Sequence, residues 1–432
     1  MPESDGIHHS EHWASQFVSH TGTLLEEELR KVAGHLEHPV PAQPLPRPPS
    51  ADERRRGFRL SLADVFEPDG AETAHSRLLL RESKALSFHL VGDTGGHALR
   101  FGDRFPPPQR VVAYHLAQDA HRAPRSAPVA CLFHLGDLVY HYGETSGYPD
   151  QFHAPYGVYP EPIFAIPGNH DAMVEPGSEY PSLEAFSEHF CAPPGTTRCS
   201  CPLDHEETMH WRRPMNQPNV YFTLETHVCW FIGLATNAPE GGTLTPHGDD
   251  EQKQWLTGEL RRAPEEMPVL LCLHHPPYSC DVVHGGSSEM QTMIDTCAAE
   301  AGRRPAAVLS GHAHSYQRFV RTMEDGSKVP YFVVGAGGHP LLEKVDPDMD
   351  PRLLAGSRHR RGWSGDGELD LAAFNDTHHG FLRLTVSATH LSTSYLTVPS
   401  SLHPEWSIAD AAREADRCVF PLATPSRSPA TG

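Results

Sequence analysis

Five short polar motifs, each following a run of apolar or β-branched residues, constrain this chain more than any other feature. They are Gly92-Asp93-Thr94-Gly95, Gly136-Asp137-Leu138-Val139-Tyr140, Gly168-Asn169-His170-Asp171, His274-His275-Pro276-Pro277-Tyr278 and Gly311-His312-Ala313-His314. An apolar run without alternation, such as residues 129–135, fits a strand buried on both faces. Several such runs, with helical stretches between them, imply an α/β domain. A sheet of this kind delivers polar side chains from its strand ends to a single site.

Residues 87–91, 129–135, 163–166, 269–273 and 306–309 read as the strands that lead into the five motifs. Residues 107–121 read as a helix with Val111, Val112, His115 and Leu116 on one face, and residues 251–262 as another with Trp255, Leu256 and Leu260. Residues 220–226 and 228–235 suggest an antiparallel pair, and residues 381–387 and 391–398 a terminal hairpin. Residues 331–334 suggest a strand ended by Gly335-Ala336-Gly337-Gly338. That run lacks the Lys-Ser/Thr of a phosphate loop and reads as backbone passing close to the site. Residues 176–218 and 346–376 read as long irregular loops. Residues 12–36 have helical periodicity, 39–49 are Pro-rich, and 407–417 suggest a short helix. The expected organisation is a helix and arm over 1–82, a catalytic domain over 83–398 and a tail over 399–432.

The formal net charge of −20 would repel nucleic acid and anionic membrane. It does not forbid a small anionic substrate, because bound cations reverse the local field. No apolar stretch is long enough to span a bilayer, and the first residues are acidic and polar. The expectation is a cytoplasmic chain, or a secreted one if a leader has been removed. The nine cysteines are scattered, and Cys131, Cys229 and Cys272 fall in expected strands, where a thiol serves as a small apolar side chain. This argues against a disulfide framework.

Asp, Asn, His and Tyr are hard or borderline donors that suit Fe, Mn or Zn. Alone, Gly-Asp-x-Gly is as well explained by a turn. Gly-Asn-His-Asp after a strand is more specific, and His-x-His more specific again. All five in order at strand ends point to a metal site. Tyr140 is open to two readings, a metal-binding phenol or a packing aromatic. Cys199, Cys201, His205 and His210 match no common zinc spacing. No spacing assigns His97, His134, His141, His153, His284, His339, His378 or His379.

The motif set resembles the calcineurin-like metallophosphoesterase superfamily and, within it, the purple acid phosphatase branch. The resemblance covers roughly residues 83–398 and extends through Tyr316 and Arg318, which read as braces of the site ahead of substrate contacts, although Arg suits bidentate contact with phosphate. It implies a four-layer α/β/β/α sandwich of two mixed sheets flanked by helices. It also implies two metal ions, Fe(III) with a divalent Fe, Zn or Mn. Asp93, Tyr140 and His314 would bind the first and Asn169, His274 and His312 the second, with Asp137 bridging. Most superfamily members carry a ligand His where this chain has Gly95, and the branch adds a phenolate where this chain has Tyr140. The implied activity is hydrolysis of a small phosphate monoester by a metal-activated hydroxide, with His170 as a donor oriented by Asp171. His275 is open to two roles, proton donor to the leaving group or support behind the ligands. Alternatives are a phosphodiesterase or a non-catalytic, metal-bound scaffold. The N-terminal β-sandwich of plant members of the branch has no counterpart in this reading, and no secretion signal is visible.

Overall fold

The computed structural model describes residues 58–65, 82–96, 107–175, 177–191, 217–237, 241–245, 248, 250–354, 368–399, 407 and 410–422. The expected helix at 12–36, the Pro-rich arm, His97 and the Cys199–His210 group lie outside these residues.

Among the described residues, two sheets face each other. The larger has eight strands in the order β1 (Arg59–Ser61), β5 (Phe222–Glu225), β6 (Trp230–Gly233), β7 (Val269–Cys272), β8 (Ala307–Ser310), β10 (Lys328–Val334), β9 (Tyr316–Thr322) and β11 (Leu369–Asn375). The smaller has six, in the order β14 (Arg413–Pro421), β13 (His390–Thr397), β12 (Gly380–Ser387), β2 (Ala85–Val91), β3 (Val129–His134) and β4 (Ile163–Ala165). In each sheet the strands next to the site are parallel, namely β6, β7, β8 and β10 in one and β2, β3 and β4 in the other. The flanking strands are antiparallel to their neighbours, except that the edge strand β1 runs parallel to β5. Both sheets are therefore mixed.

Side-chain alternation explains the layers. On β2, Leu86, Phe88 and Leu90 point into the space between the sheets, where they meet Phe133, Phe222, Phe231, Leu270 and Leu384. Val91 and Leu132 point the other way, against helix α1 (Pro108–Arg122) through Val111, Val112 and Leu116. On β7, Leu271 faces helices α3 (Glu251–Arg262) and α4 (Ser288–Ala301) through Leu256, Leu260 and Ile294. Helix, sheet, sheet and helix make the four-layer sandwich. The strands are apolar throughout because both of their faces are covered, and each buried Leu or Phe contributes roughly 1.5–3 kcal/mol.

Four segments differ from the sequence reading. The tail expected to be helical forms strand β14, paired along its length with β13. The register puts Tyr395 beside Asp416 there, and the free edge of the sheet outweighs the helix propensity of an Ala/Glu/Arg-rich stretch. The expected loop at 346–376 contains β11, and the one at 176–218 contains α2 (Glu184–Phe190). Residues 59–61, expected in the arm, pair with β5.

Candidate metal centre

The five motifs sit at the carboxyl ends of β2, β3, β4, β7 and β8, where ligands of open α/β sheets gather. The first two loops are stitched together. Asp93 N–H donates to the Gly136 carbonyl at 2.9 Å, and Thr94 N–H to that of Asp137 at 3.1 Å. Asp93, Asp137 and His312 have φ of 58°, 56° and 72°. Non-glycine residues rarely adopt this conformation, and three together on loops that share one site mark a functional centre. Gly335 makes room beside them, since a Cβ there would stand 2.9 Å from Asp93 Oδ2.

The Tyr140 hydroxyl lies 2.9 Å from Asp137 Oδ2, 3.1 Å from His314 Nε2 and 3.3 Å from Asp93 Oδ1. On the other side, Asn169 Oδ1 lies 3.0 Å from His274 Nε2 and 3.1 Å from His312 Nδ1. His274 Nε2 stands 3.4 Å from Asp137 Oδ2. The structure thus brings all seven expected ligands together, with Asp137 between the two groups. His274 Nδ1 donates to the Leu135 carbonyl at 2.8 Å and His314 Nδ1 to that of Leu341 at 3.1 Å. Each ring therefore turns Nε2 inward: on the neutral His314 it is a lone pair, and on His274 it becomes one when a metal displaces its proton.

The electrostatics ask for a cation. Candidate ligand atoms of Asp93, Asp137 and His274 lie within 4.8 Å of one another, all buried. Burial, with Asp137 nearby, pushes the Asp93 carboxyl well above its usual range. Burial works the same way on Asp137, yet His274, His170 and His312 hold it well below. Burial opposes charge on His274, but Asp137 and Asp93 push it up to about 9. Two buried carboxylates this close cannot both ionise without positive charge beside them. Burial, reinforced by His339 and His284, keeps His314 neutral. Two buried carboxylates that share one cationic ring, beside the neutral His314, fit a bound metal.

Asp171 differs from expectation. It does not orient His170. Its Oδ2 accepts from the backbone N–H of Asp137 and Gly168 at 2.8 Å each, and its Oδ1 from Leu138 at 3.0 Å and Val139 at 3.3 Å. It braces the Asp137 loop. Burial pushes it up to about 7, with Asp137 adding to the rise and the N–H donors opposing it. His170 is held instead by the His141 carbonyl, 2.9 Å from its Nδ1, and its own N–H donates to Asp137 Oδ1 at 2.9 Å. Its ring lies 4.2 Å from that of Tyr140.

His274 and His275 both follow the end of β7, so strand alternation does not separate them. Their ring centroids are 5.1 Å apart, and His275 also packs 4.4 Å from His312, with Nδ1 3.0 Å from Thr236 Oγ1. Tyr316 and Arg318 reach away from the ligands to Asp416 on β14, at 2.7 Å for both Tyr316 Oη and Arg318 Nε.

The structure adds residues that spacing did not assign. The His284 ring packs tilted against that of His312, with centroids 4.0 Å apart and its Nε2 3.2 Å from Glu343 Oε1, while Glu343 Oε2 accepts the His314 N–H at 2.9 Å. Burial pushes Glu343 up to about 7. His339 packs between Tyr140 and His314, with centroids at 4.6 and 4.1 Å. It follows the glycine run that ends β10, so the strand-end pattern could have found it. His284 lies on a coil far from any strand end, and nothing in the spacing marks it. His134 joins the first two loops, accepting the Gly136 N–H on Nδ1 at 3.2 Å and meeting Thr94 Oγ1 with Nε2 at 2.8 Å.

The chain is similar to several known proteins. The chain is 28% identical over 181 residues to "Probable purple acid phosphatase 20" of Arabidopsis thaliana, covering 39% of each chain. It is 24% identical over 266 residues to "Purple acid phosphatase 22" of the same plant, covering 57% of this chain and 54% of the relative. The matches thus span less than two thirds of those relatives. Among solved structures, purple acid phosphatase PPD1 from yellow lupin seeds aligns with a TM-score of 0.49 at 16% identity, covering 79% of this chain and 54% of that one. PhoD aligns with a TM-score of 0.48 at 15% identity, covering 78% and 70%. The family model described as Calcineurin-like phosphoesterase matches residues 86–316, more than half of the sequence and all five motifs. The chain therefore belongs to the calcineurin-like phosphoesterase family.

Proposed function

We propose that this chain is a dinuclear-metal phosphoesterase that hydrolyses small phosphate monoesters in the manner of the purple acid phosphatases. The observation that carries the reading is the Tyr140 hydroxyl at 2.9 Å from Asp137 Oδ2, 3.1 Å from His314 Nε2 and 3.3 Å from Asp93 Oδ1. A packing aromatic has no reason to bury its hydroxyl among two carboxylates and an imidazole. Burial pushes its pKa well above the usual range, and Asp137 and Asp93 raise it further. A trivalent ion beside it would offset both effects.

In this reading Asp93, Tyr140 and His314 hold Fe(III). Asn169, His274 and His312 hold a divalent Fe, Zn or Mn, and Asp137 serves both. Such a pair of ions supplies Lewis acidity, neutralising phosphoryl charge and lowering the pKa of coordinated water. The chain's own residues do the rest. Asp171 holds the Asp137 loop through its backbone N–H groups. His170 commits Nδ1–H to the His141 carbonyl, so Nε2 is the nitrogen left to meet substrate, and it donates to a phosphoryl oxygen only when the ring carries a second proton. His275, packed against two ligand rings, supports them. Among the described residues, no helix is long and apolar enough to cross a membrane.

The test is metal analysis and an absorption spectrum of the pure protein, with turnover of para-nitrophenyl phosphate against its bis-ester. The expected result is iron with a second metal, a broad visible band lost in Tyr140→Phe, and faster cleavage of the monoester. Colourless protein with two Zn or Mn would remove the iron assignment. A much faster bis-ester reaction would make the chain a phosphodiesterase.

A further inference from the structure

Tyr140 reaches the centre from a loop, and a loop phenol needs something to hold it. The side chain that does so is Gln151, eleven residues on, in the helical turn Pro149–His153. Gln151 Oε1 accepts the Tyr140 N–H at 2.9 Å, and its Nε2 donates to the Tyr140 carbonyl at 2.8 Å. One primary amide thus satisfies both backbone groups of Tyr140, as a neighbouring strand would. The same Oε1 accepts the Gly96 N–H at 2.8 Å, from the loop that carries Asp93. Gln151 therefore ties the tyrosine to the Asp93 loop. Its side chain is buried, and a Cβ at Gly95 would stand 2.8 Å from Oε1, so the amide also fills the space beside the glycine.

We propose that Gln151 is a positioning residue that fixes where the Tyr140 phenol sits relative to Asp93 and Asp137. The proposal rests on the reading of Tyr140 as a metal ligand. Gln151 touches no expected ligand atom. It acts through the backbone of Tyr140, in the way that outer hydrogen-bond partners orient the ligands of metal sites. The two N–H groups it accepts define the oxygen and the nitrogen of the amide without ambiguity, so the effect of each substitution follows. Gln151→Leu leaves two N–H groups and one carbonyl without partners. Gln151→Glu replaces the amide almost atom for atom while its carboxyl is protonated, since O–H then donates to the Tyr140 carbonyl. Once ionised, it sets a carboxylate oxygen against that carbonyl and repels it.

The experiment compares iron-loaded wild type, Tyr140→Phe, Gln151→Leu and Gln151→Glu by visible spectrum, iron content, thermal midpoint and crystal structure. With a wild-type band that Tyr140→Phe abolishes, Gln151→Leu shifts or loses the band and binds iron at least about tenfold more weakly. The Gln151→Glu band departs from wild type increasingly as pH rises, beyond any shift that the wild-type band itself shows over the same range. A lowered thermal midpoint alone would not produce that pH-dependent band. Coincident bands in wild type, Gln151→Leu and Gln151→Glu, at equal iron content and all pH values, overturn the proposal. If wild type shows no band, the ligand reading fails, and the crystal structure decides the positioning claim by itself. A Tyr140 hydroxyl still beside Asp137 Oδ2 in Gln151→Leu overturns it, and a displaced one sustains it. If Gln151→Leu does not fold, Gln151→Glu carries both arms.

Discussion

Gly95 and Tyr140 claim the same volume: a Cβ on Gly95 would stand 2.7 Å from Tyr140 Cδ2. The pairing noted in the sequence, Gly95 in the first motif with a tyrosine three residues after Asp137, is thus steric as well as chemical. A side chain at 95 and the phenol cannot coexist in this arrangement, because Gln151 Oε1 at 2.8 Å and the Leu138 carbonyl at 2.9 Å close the other exits. Gly95→Ala is expected to push Tyr140 off the centre and lower kcat at least about tenfold, in line with the loss of a supporting contact at a metal site. Unchanged kcat and unchanged metal content in Gly95→Ala would show that the two residues do not compete.

The Asp137 loop depends on one carboxylate. Asp171 accepts four backbone N–H groups, from Asp137, Leu138, Val139 and Gly168. Asp171→Ala leaves them buried without partners, at about 1–3 kcal/mol for each that water cannot reach. A stability loss of about 3–5 kcal/mol is expected, together with weakened metal binding. Asp171→Asn, which keeps acceptor oxygen on one side only, falls between. Chemical denaturation reads this directly, and a loss under 1 kcal/mol in Asp171→Ala would mean that solvent replaces the carboxylate.

The C-terminal strand anchors the last motif. Asp416 on β14 takes Arg318 Nε at 2.7 Å and Arg318 Nη2 at 3.0 Å, and the Tyr316 hydroxyl at 2.7 Å. Burial would raise Asp416, but these donors hold it below the usual range. Tyr316 also stacks on Tyr395 at 3.9 Å. Asp416→Ala is expected to destabilise the protein by roughly 2 kcal/mol, less than a fully buried pair would cost because some water reaches both partners. Truncation after residue 410 removes the strand and bares the edge of β13, and insoluble protein is the expected outcome. A soluble, equally stable truncation would show that β14 is dispensable.

On helix α2, His189 stacks 4.0 Å from Tyr148 and shares a 3.0 Å hydrogen bond with His153. Burial, with His153 adding, pushes it down to about 3. The unfolded chain protonates this ring near 6.5, and the folded chain does not until about 3. Between those values the unfolded state binds more protons. The stabilisation is therefore complete above about pH 6.5 and is lost as pH falls, by up to roughly 1.4 kcal/mol per pH unit. His189→Phe should flatten this acid limb in denaturation measured at several pH values. Parallel limbs for the two proteins would rule out the assignment.

The sequence by itself determined which strands carry the five motifs and which candidate ligands those strands deliver. Asp93, Asp137, Tyr140, Asn169, His274, His312 and His314 all follow apolar runs, and a strand buried on both faces announces itself by composition without regard to its neighbours. It did not determine what supports those ligands. Asp171 bonds the backbone of residues 137–139, His284 reaches Glu343, and Asp416 grips Arg318 from 98 positions away along the chain. Helix α4 shows a middle case. Ser287 caps it, accepting the Met290 N–H, and Gly302 ends it at φ 68°, so its local signals were in the sequence. Strand β14 is the opposite case, a stretch with helical composition that becomes a strand because β13 offers an unpaired edge. Metal ligands must be particular side chains, so their identity is written locally. Their supports bond to backbone groups and to rings that only the two packed sheets bring within reach, and that partnership exists only in three dimensions.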